Sequence, residues 1–261
     1  MNEVPSILLM GLVGSFLAGL CTSIGAIPAL VFGRPGERTE SMMLGFAAGV
    51  MLAASVFSLI LPGLDAASVV FKSENARALL AVFGILMGGG ALWMIHRFSP
   101  HEHFISGPEG ADPKDLARIW LFVIAITLHN FPEGMAVGVG FGGGDMDNGR
   151  ALAIGIGIQN IPEGLAVAAA LLTQGYSRVR AFMVASLTGL VEPIGGVIGA
   201  GVVSFSEYLL PWGLTFAAGA MIWVISDEII PETHRRGVAT YGTVGIMIGF
   251  VAMMFLDITL G

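Results

Sequence analysis

Two heptapeptides concentrate the residues able to do chemistry. They are Leu128-His129-Asn130-Phe131-Pro132-Glu133-Gly134 and, thirty residues on, Ile158-Gln159-Asn160-Ile161-Pro162-Glu163-Gly164. On a helix His129 and Glu133 are four apart and share a face, as do Gln159 and Glu163. Asn130 and Asn160 each lie three residues before a glutamate, also within reach. Each proline should free the carbonyl four residues back, that of Leu128 and that of Ile158. Together the two copies offer an imidazole, two carboxylates and three amide oxygens. Zn²⁺ and other first-row divalent ions take imidazole and carboxylate well. Amide oxygens hold an ion less tightly than thiolates, which suits a site that must release it.

The surrounding sequence makes these residues costly. Both copies sit inside long apolar runs, and a charge at the centre of a membrane span costs about 2.5–3.5 kcal/mol on insertion scales. Broken helices and polar groups at that depth are tolerated where they line a cavity. Asn and Gln also act as interhelical glue. Paired glutamates with a histidine at one depth ask for more than glue, and coordination of a cation supplies it. A proton relay is the other option.

The elements that must position these groups are membrane helices. Of 261 residues, 55% are hydrophobic and 12% charged, against about 25% charged in soluble domains. At about 20 apolar residues per span, the length accommodates about eight spans, with no room for a separate soluble domain. The chain is therefore expected to be all-α and polytopic, a single transmembrane domain over residues 1–261. The spans run about Ser6 to Phe32, Ser41 to Leu61, Ala76 to Ile95, Arg118 to Phe141, Arg150 to Thr173, Val179 to Phe205, Tyr208 to Ile230 and Ala239 to the C-terminus. Pro62 and Pro231 are read as terminators of spans 2 and 7. The first span is too long for a signal-peptide core. Residues 97–117 form the one long polar connection. Glycines at four-residue spacing, such as Gly84/Gly88, Gly195/Gly199 and Gly245/Gly249, fit close helix packing.

Lysine and arginine set the orientation. Arg34, Arg38, Arg97, Lys114, Arg118, Arg178, Arg180, Arg235 and Arg236 fall on one side; Lys72, Arg77 and Arg150 fall on the other. The long connection is then cytoplasmic, with both termini outside. Spans 4 and 5 run in opposite directions with their motifs near mid-depth, as expected of a transporter with a midplane site. No basic tract suggests nucleic acid. Cys21 is the single cysteine, so neither an intrachain disulfide nor a thiolate cluster forms.

Other polar residues add to the pattern. Glu192, before Pro193 in span 6, is a third carboxylate near mid-depth and suits a second ion or another step of the same ion's path. Met51 in span 2 is a soft thioether or a core gap filler. Ser58, seven residues on, can line the path. Asp65 and Asp257 fall on the outer side, where acids attract cations. His101 and His103 flank Glu102 in the long connection, where a flexible solvated loop is expected. Asp227, Glu228, Glu232, His234 and His96 lie toward the inner side.

The doubled motif in spans 4 and 5 of eight, with both termini outside, resembles the ZIP (Zrt-/Irt-like) family of divalent-metal transporters, bacterial members above all. The resemblance covers nearly the whole chain. It implies a bundle with an inverted repeat, spans 1–3 and 6–8, around spans 4 and 5. It also implies a primary site of His129, Glu133, Gln159 and Glu163 completed by Met51. Asn130, Asn160 and Glu192 would form an adjoining second site. Asp65 and Asp257 would line the outer entrance, and His101 and His103 would match exit-side loop histidines. The implied substrate is Zn²⁺, variously Cd²⁺, Fe²⁺ or Mn²⁺, moved into the cytoplasm by an elevator-like slide of spans 1, 4, 5 and 6. The metal is cargo, and no cofactor is implied. The setting would be the cell inner membrane, and a homodimer is allowed. Many relatives carry a second histidine where this chain has Gln159, and some an acid where it has Asn160.

Two other functions compete. An intramembrane metal-dependent hydrolase needs an open metal position and a general base, but the chain has no H-E-x-x-H and one histidine at mid-depth. A proton- or sodium-coupled carrier of a small organic solute would keep its flux with a chelator present.

Overall fold

The computed structural model describes residues 4–33, 35–98, 101–103, 107–109, 118–144, 146–173, 176–233 and 237–260. Long helices dominate: α1 (Val4–Phe32), α2 (Glu37–Ala54), α3 (Leu61–Val70), α4 (Glu74–Phe98), α5 (Arg118–Gly142), α6 (Met146–Thr173), α7 (Arg178–Gly189), α8 (Glu192–Ser204), α9 (Leu210–Val224), α10 (Ile230–Thr233) and α11 (Ala239–Leu260). Seven stretches among the described residues are long and apolar enough to cross a membrane. The 25-residue α5, which carries the first motif, is a further long apolar helix of the bundle. The outer helices turn apolar side chains outward, Leu86 of α4 and Phe255 of α11 among them. The most apolar stretch of α6 is 72% buried and that of α11 only 22%, so the second motif runs through the middle of the molecule.

Three expectations about boundaries are corrected. Pro62 does not end its span. A π-helical turn, Ser55–Ile60, follows α2, and the chain continues through α3, with Pro62 in that helix's first turn. Pro231 likewise follows a π turn, Ile225–Ile229, and sits inside α10. A proline lacks only the N–H and crowds the carbonyl four residues back. In a π turn the bonding is already shifted to five residues, so the missing donor is absorbed without ending the helix. The sixth span is broken: α7 stops at Gly189, and α8 restarts at Glu192 with Pro193 in its first turn. In the long connection, the backbone of His101–His103 pairs antiparallel with Gly107–Glu109. A small hairpin stands where a flexible loop is expected.

Four helix pairs build the bundle: α1 along α6, α5 along α8, α2 along α11 and α4 along α9. Glycine makes each approach close. A Cβ on Gly164 would strike the Thr22 carbonyl, and one on Gly134 the Glu192 carbonyl. A Cβ on Gly249 would strike the Phe46 carbonyl, and one on Gly88 the Phe216 carbonyl. Small residues let backbones touch in this way without a hydrophobic driving force between helices. The expected spacing at Gly84/Gly88, Gly195/Gly199 and Gly245/Gly249 thus does the packing read from it.

The tetrapeptide Phe46-Ala47-Ala48-Gly49 of α2, with Met51 two residues on, recurs as Phe216-Ala217-Ala218-Gly219 of α9, with Met221 two residues on. Each methionine precedes its π turn by four residues. Both methionines are fully buried in one apolar cluster with Leu152 and Ile156 of α6.

Candidate metal centre

The two motifs meet inside the bundle. Pro132 and Pro162 lie within α5 and α6, which continue past them. The turn between the helices is short, with Gly144 at a φ of +77°, a conformation glycine adopts without steric cost. It returns α6 antiparallel beside α5, so the copies come face to face at one level.

Asn130, Glu133, Gln159, Asn160, Glu163 and Glu192 are all buried, Gln159, Asn160 and Glu192 completely. Gln159 Nε2 donates to Glu133 Oε1 at 2.6 Å, joining the two motifs directly. Asn160 Nδ2 donates to Glu192 Oε1 at 2.7 Å and to the Ala18 carbonyl at 2.9 Å, joining α6 to α8 and to α1. Glu192 is brought in by the tight seat of Gly134 on its backbone. The charges of Glu133, Glu163 and Glu192 lie close enough to act on one another.

What is left over defines the chemistry. Glu133 Oε2, Gln159 Oε1, Asn160 Oδ1, Glu192 Oε2 and Asn130 Oδ1 are buried with no hydrogen-bond partner. All are oxygens. An unsatisfied buried polar group costs about 1–3 kcal/mol, and more when charged. Nearly all such groups in folded proteins have partners. The amide nitrogens of Gln159 and Asn160 are turned to carboxylates, so their oxygens are the atoms left to offer. Several unmatched oxygens suit a bound cation, and mixed carboxylate and amide oxygen suits a divalent one. Among the described residues, no three His, Cys, Asp or Glu side chains converge tightly enough to hold a metal ion on their own.

The remaining expected residues are placed as follows. Met51 lies in the apolar cluster flanking α6. Ser58 and Asp257 come together: Ser58 Oγ donates to Asp257 Oδ1 at 2.5 Å, linking the π turn to α11. Asp65 is exposed on α3. The side chains of His129, His101 and His103 lie outside the described residues. Two participants were not read from sequence. One is the backbone carbonyl of Ala18. The other is Thr22, whose buried hydroxyl oxygen has no partner beside the second motif. Thr22 stands 170 residues before Glu192, the same interval that separates Met51 from Met221. That interval was the available signal.

Apolar membrane-length helices around a buried, oxygen-rich centre on two proline-bearing helices define a multi-pass membrane protein with a polar core site. A family model for the ZIP zinc transporter matches residues 106–257. The chain is 48% identical over 240 residues to the zinc transporter ZIPB of Bordetella bronchiseptica, covering 92% of this chain and 78% of that protein. It is 45% identical to the zinc transporter GufA of Myxococcus xanthus, over 96% of this chain and 99% of that one. It is 33% identical to the human zinc transporter ZIP11 over the full length of both. The chain belongs to the ZIP zinc transporter family.

Proposed function

We propose that this chain carries Zn²⁺, and among related ions Cd²⁺, Fe²⁺ or Mn²⁺, across the cell inner membrane into the cytoplasm. The ion binds at mid-depth between α5 and α6. His129, Glu133, Gln159 and Glu163 hold it, with Met51 at its flank and Asn130 adjoining. The observation that carries this reading is the set of buried, partnerless oxygens where the two motifs meet. The relatives named as zinc transporters support the choice of ion. The chain acts as a carrier and not as an enzyme. Eight spans with both termini outside fit the sidedness of its lysines and arginines.

An elevator-type motion fits the packing. Helices α1, α5, α6, α7 and α8 form one glycine-sealed body. Helices α2, α3, α4, α9, α10 and α11 form the other. The repeat expected for spans 1–3 and 6–8 is supported by matched contacts. Gly25 abuts the Ile161 carbonyl as Gly195 abuts that of Phe131, and Gly49 abuts the Ile246 carbonyl as Gly219 abuts that of Ile85. The glycines are displaced by 170 residues between the halves, and their partners by 30 and by 161. Such duplicated halves around a midplane site underlie alternating access in other transporter folds.

The test is zinc uptake by the purified chain in liposomes. Uptake should be lost in Glu133→Ala and in Glu163→Ala, and abolished by chelator. Flux of a small solute that persists with chelator, or uptake unchanged in both variants, would refute the proposal.

A further inference from the structure

Two helix pairs, α4 with α9 and α5 with α8, are packed backbone to backbone. A Cβ on Gly84 of α4 would strike the Thr215 hydroxyl of α9, and one on Gly138 of α5 the Gly196 carbonyl of α8. The seam between the two pairs is not closed in this way. A cavity of about 270 Å³ lies along it. Met87 of α4 and Trp212 and Phe216 of α9 form one wall; Met135 and Val139 of α5 and Val202 of α8 form the other. The surface that these walls expose to the cavity is wholly apolar.

What fills such a space follows from its lining and its mouth. A buried water needs two to four polar partners, and this lining offers none. Apolar cavities of about 150 Å³ stay dry and take guests such as benzene. An empty space of this size would leave its walls without dispersion partners on one side. Met87 and Val202 line the cavity and are nevertheless 58% and 46% exposed, so it opens on the outer surface of the bundle between α4 and α8. Both helices belong to stretches long and apolar enough to cross a membrane. The medium against that mouth in a bilayer is hydrocarbon.

We propose that an acyl chain of a membrane lipid occupies this cavity. The inference rests on the membrane setting and on the packing, not on the metal centre. Leu209, at the start of α9, lines one end of the cavity, beside the connection that carries Ser204, Ser206 and Tyr208. A headgroup is placed at that level, where tryptophan and tyrosine are enriched in membrane proteins. From Leu209 to Phe216 is about 10 Å along the helix, within the ~15 Å depth of one leaflet. A chain entering at Leu209 therefore reaches Met135, the residue after Gly134 of the first motif. It touches both helix pairs at once. On the elevator reading its two walls belong to opposite bodies, so the seat would change shape as they slide.

The test is photo-labelling of the purified full chain in liposomes containing a phosphatidylcholine with a diazirine near the end of one acyl chain. Adducts are mapped by peptide mass spectrometry. Val139 is buried and Met135 half-buried, so lipid that merely coats the bundle does not reach them. The wild type should be labelled at Met135 or Val139. Val202→Trp and Met87→Trp crowd the mouth from opposite sides and should each lose that labelling. Val251→Trp, on the exposed face of α11, should keep it. Wild-type labelling confined to outward residues such as Leu86 and Phe255 would overturn the proposal. Interior labelling undiminished in both mouth variants, each eluting as the wild type does, would overturn it as well. Zinc takes no part in the measurement, so either result leaves the metal-site reading untouched.

Discussion

Gln159 reaches across from α6 and donates its amide hydrogen to Glu133 of α5 at 2.6 Å, inside a fully enclosed interior. This bond decides which atoms the two side chains present. The amide nitrogen faces the carboxylate, and the amide oxygen and the second carboxylate oxygen are turned elsewhere without partners.

Replacing Gln159 tests that arrangement. Gln159→Leu removes the donor and leaves Glu133 unanswered, a loss of about 1–3 kcal/mol. The variant should melt lower than the wild type in detergent without added metal. Gln159→Glu should also melt lower, because it opposes two carboxylates. Added Zn²⁺ should raise its melting temperature more than it raises that of the leucine variant. Equal responses of the two to Zn²⁺ would contradict this account.

Metal binding should register as stability. A ligand that binds only the folded state stabilises it by about 2.7 kcal/mol at a hundredfold excess over Kd. Zn²⁺ should therefore raise the unfolding temperature of the wild type, and chelator should reverse the rise. The Glu133→Ala, Glu163→Ala double variant should give no rise. A full rise in that variant would place the ion elsewhere.

Close packing makes a sharper prediction. A Cβ on Gly134 collides with the Glu192 backbone, which cannot swing aside as a flexible side chain can, whereas one on Gly90 meets nothing within 4 Å. Gly134→Val should be overpacked by about 1–3 kcal/mol or more and should aggregate or elute early in size exclusion. Gly90→Ala should elute as the wild type does. Indistinguishable elution profiles would rule out the tight α5/α8 contact.

The Ser58–Asp257 pair should matter for capture more than for folding. Ser58→Ala gives up one hydrogen bond, worth about 0.5–1.5 kcal/mol. Asp257→Asn keeps an acceptor for Ser58 but removes the charge at a partly exposed position. Zinc uptake by Asp257→Asn should fall at low ionic strength and approach the wild-type rate as salt is raised, because exposed charges are screened. A deficit independent of salt would assign Asp257 another role.

The helices and the paired motifs were legible in the sequence, because hydropathy and a doubled H/Q-N-x-P-E-G pattern are local signals. The π turns were not. Ser55–Ile60 and Ile225–Ile229 are apolar or mixed stretches with no periodicity that separates a π turn from an α turn. Pro62 and Pro231 were therefore misread as ends. The break before Glu192 was missed for a related reason, since Val179 to Phe205 is apolar on both sides of it. The pairing of Asn160 with Glu192 depends on the approach of α8 to α5 and α6, a tertiary fact that spacing along one helix does not carry. The kinship of Thr22 with Glu192 was within reach, but only through the recurrence that relates Phe46 to Phe216.

The turn between α5 and α6 is only a few residues long, with its bend at Gly144. So brief a tether holds the two half-sites at a permanently high effective concentration. On the proposed function, neither half could wander off while the other kept the cargo, so capture and release would be concerted by covalent geometry. Lengthening that linker with a flexible insert would uncouple them, and the first casualty would be residence time.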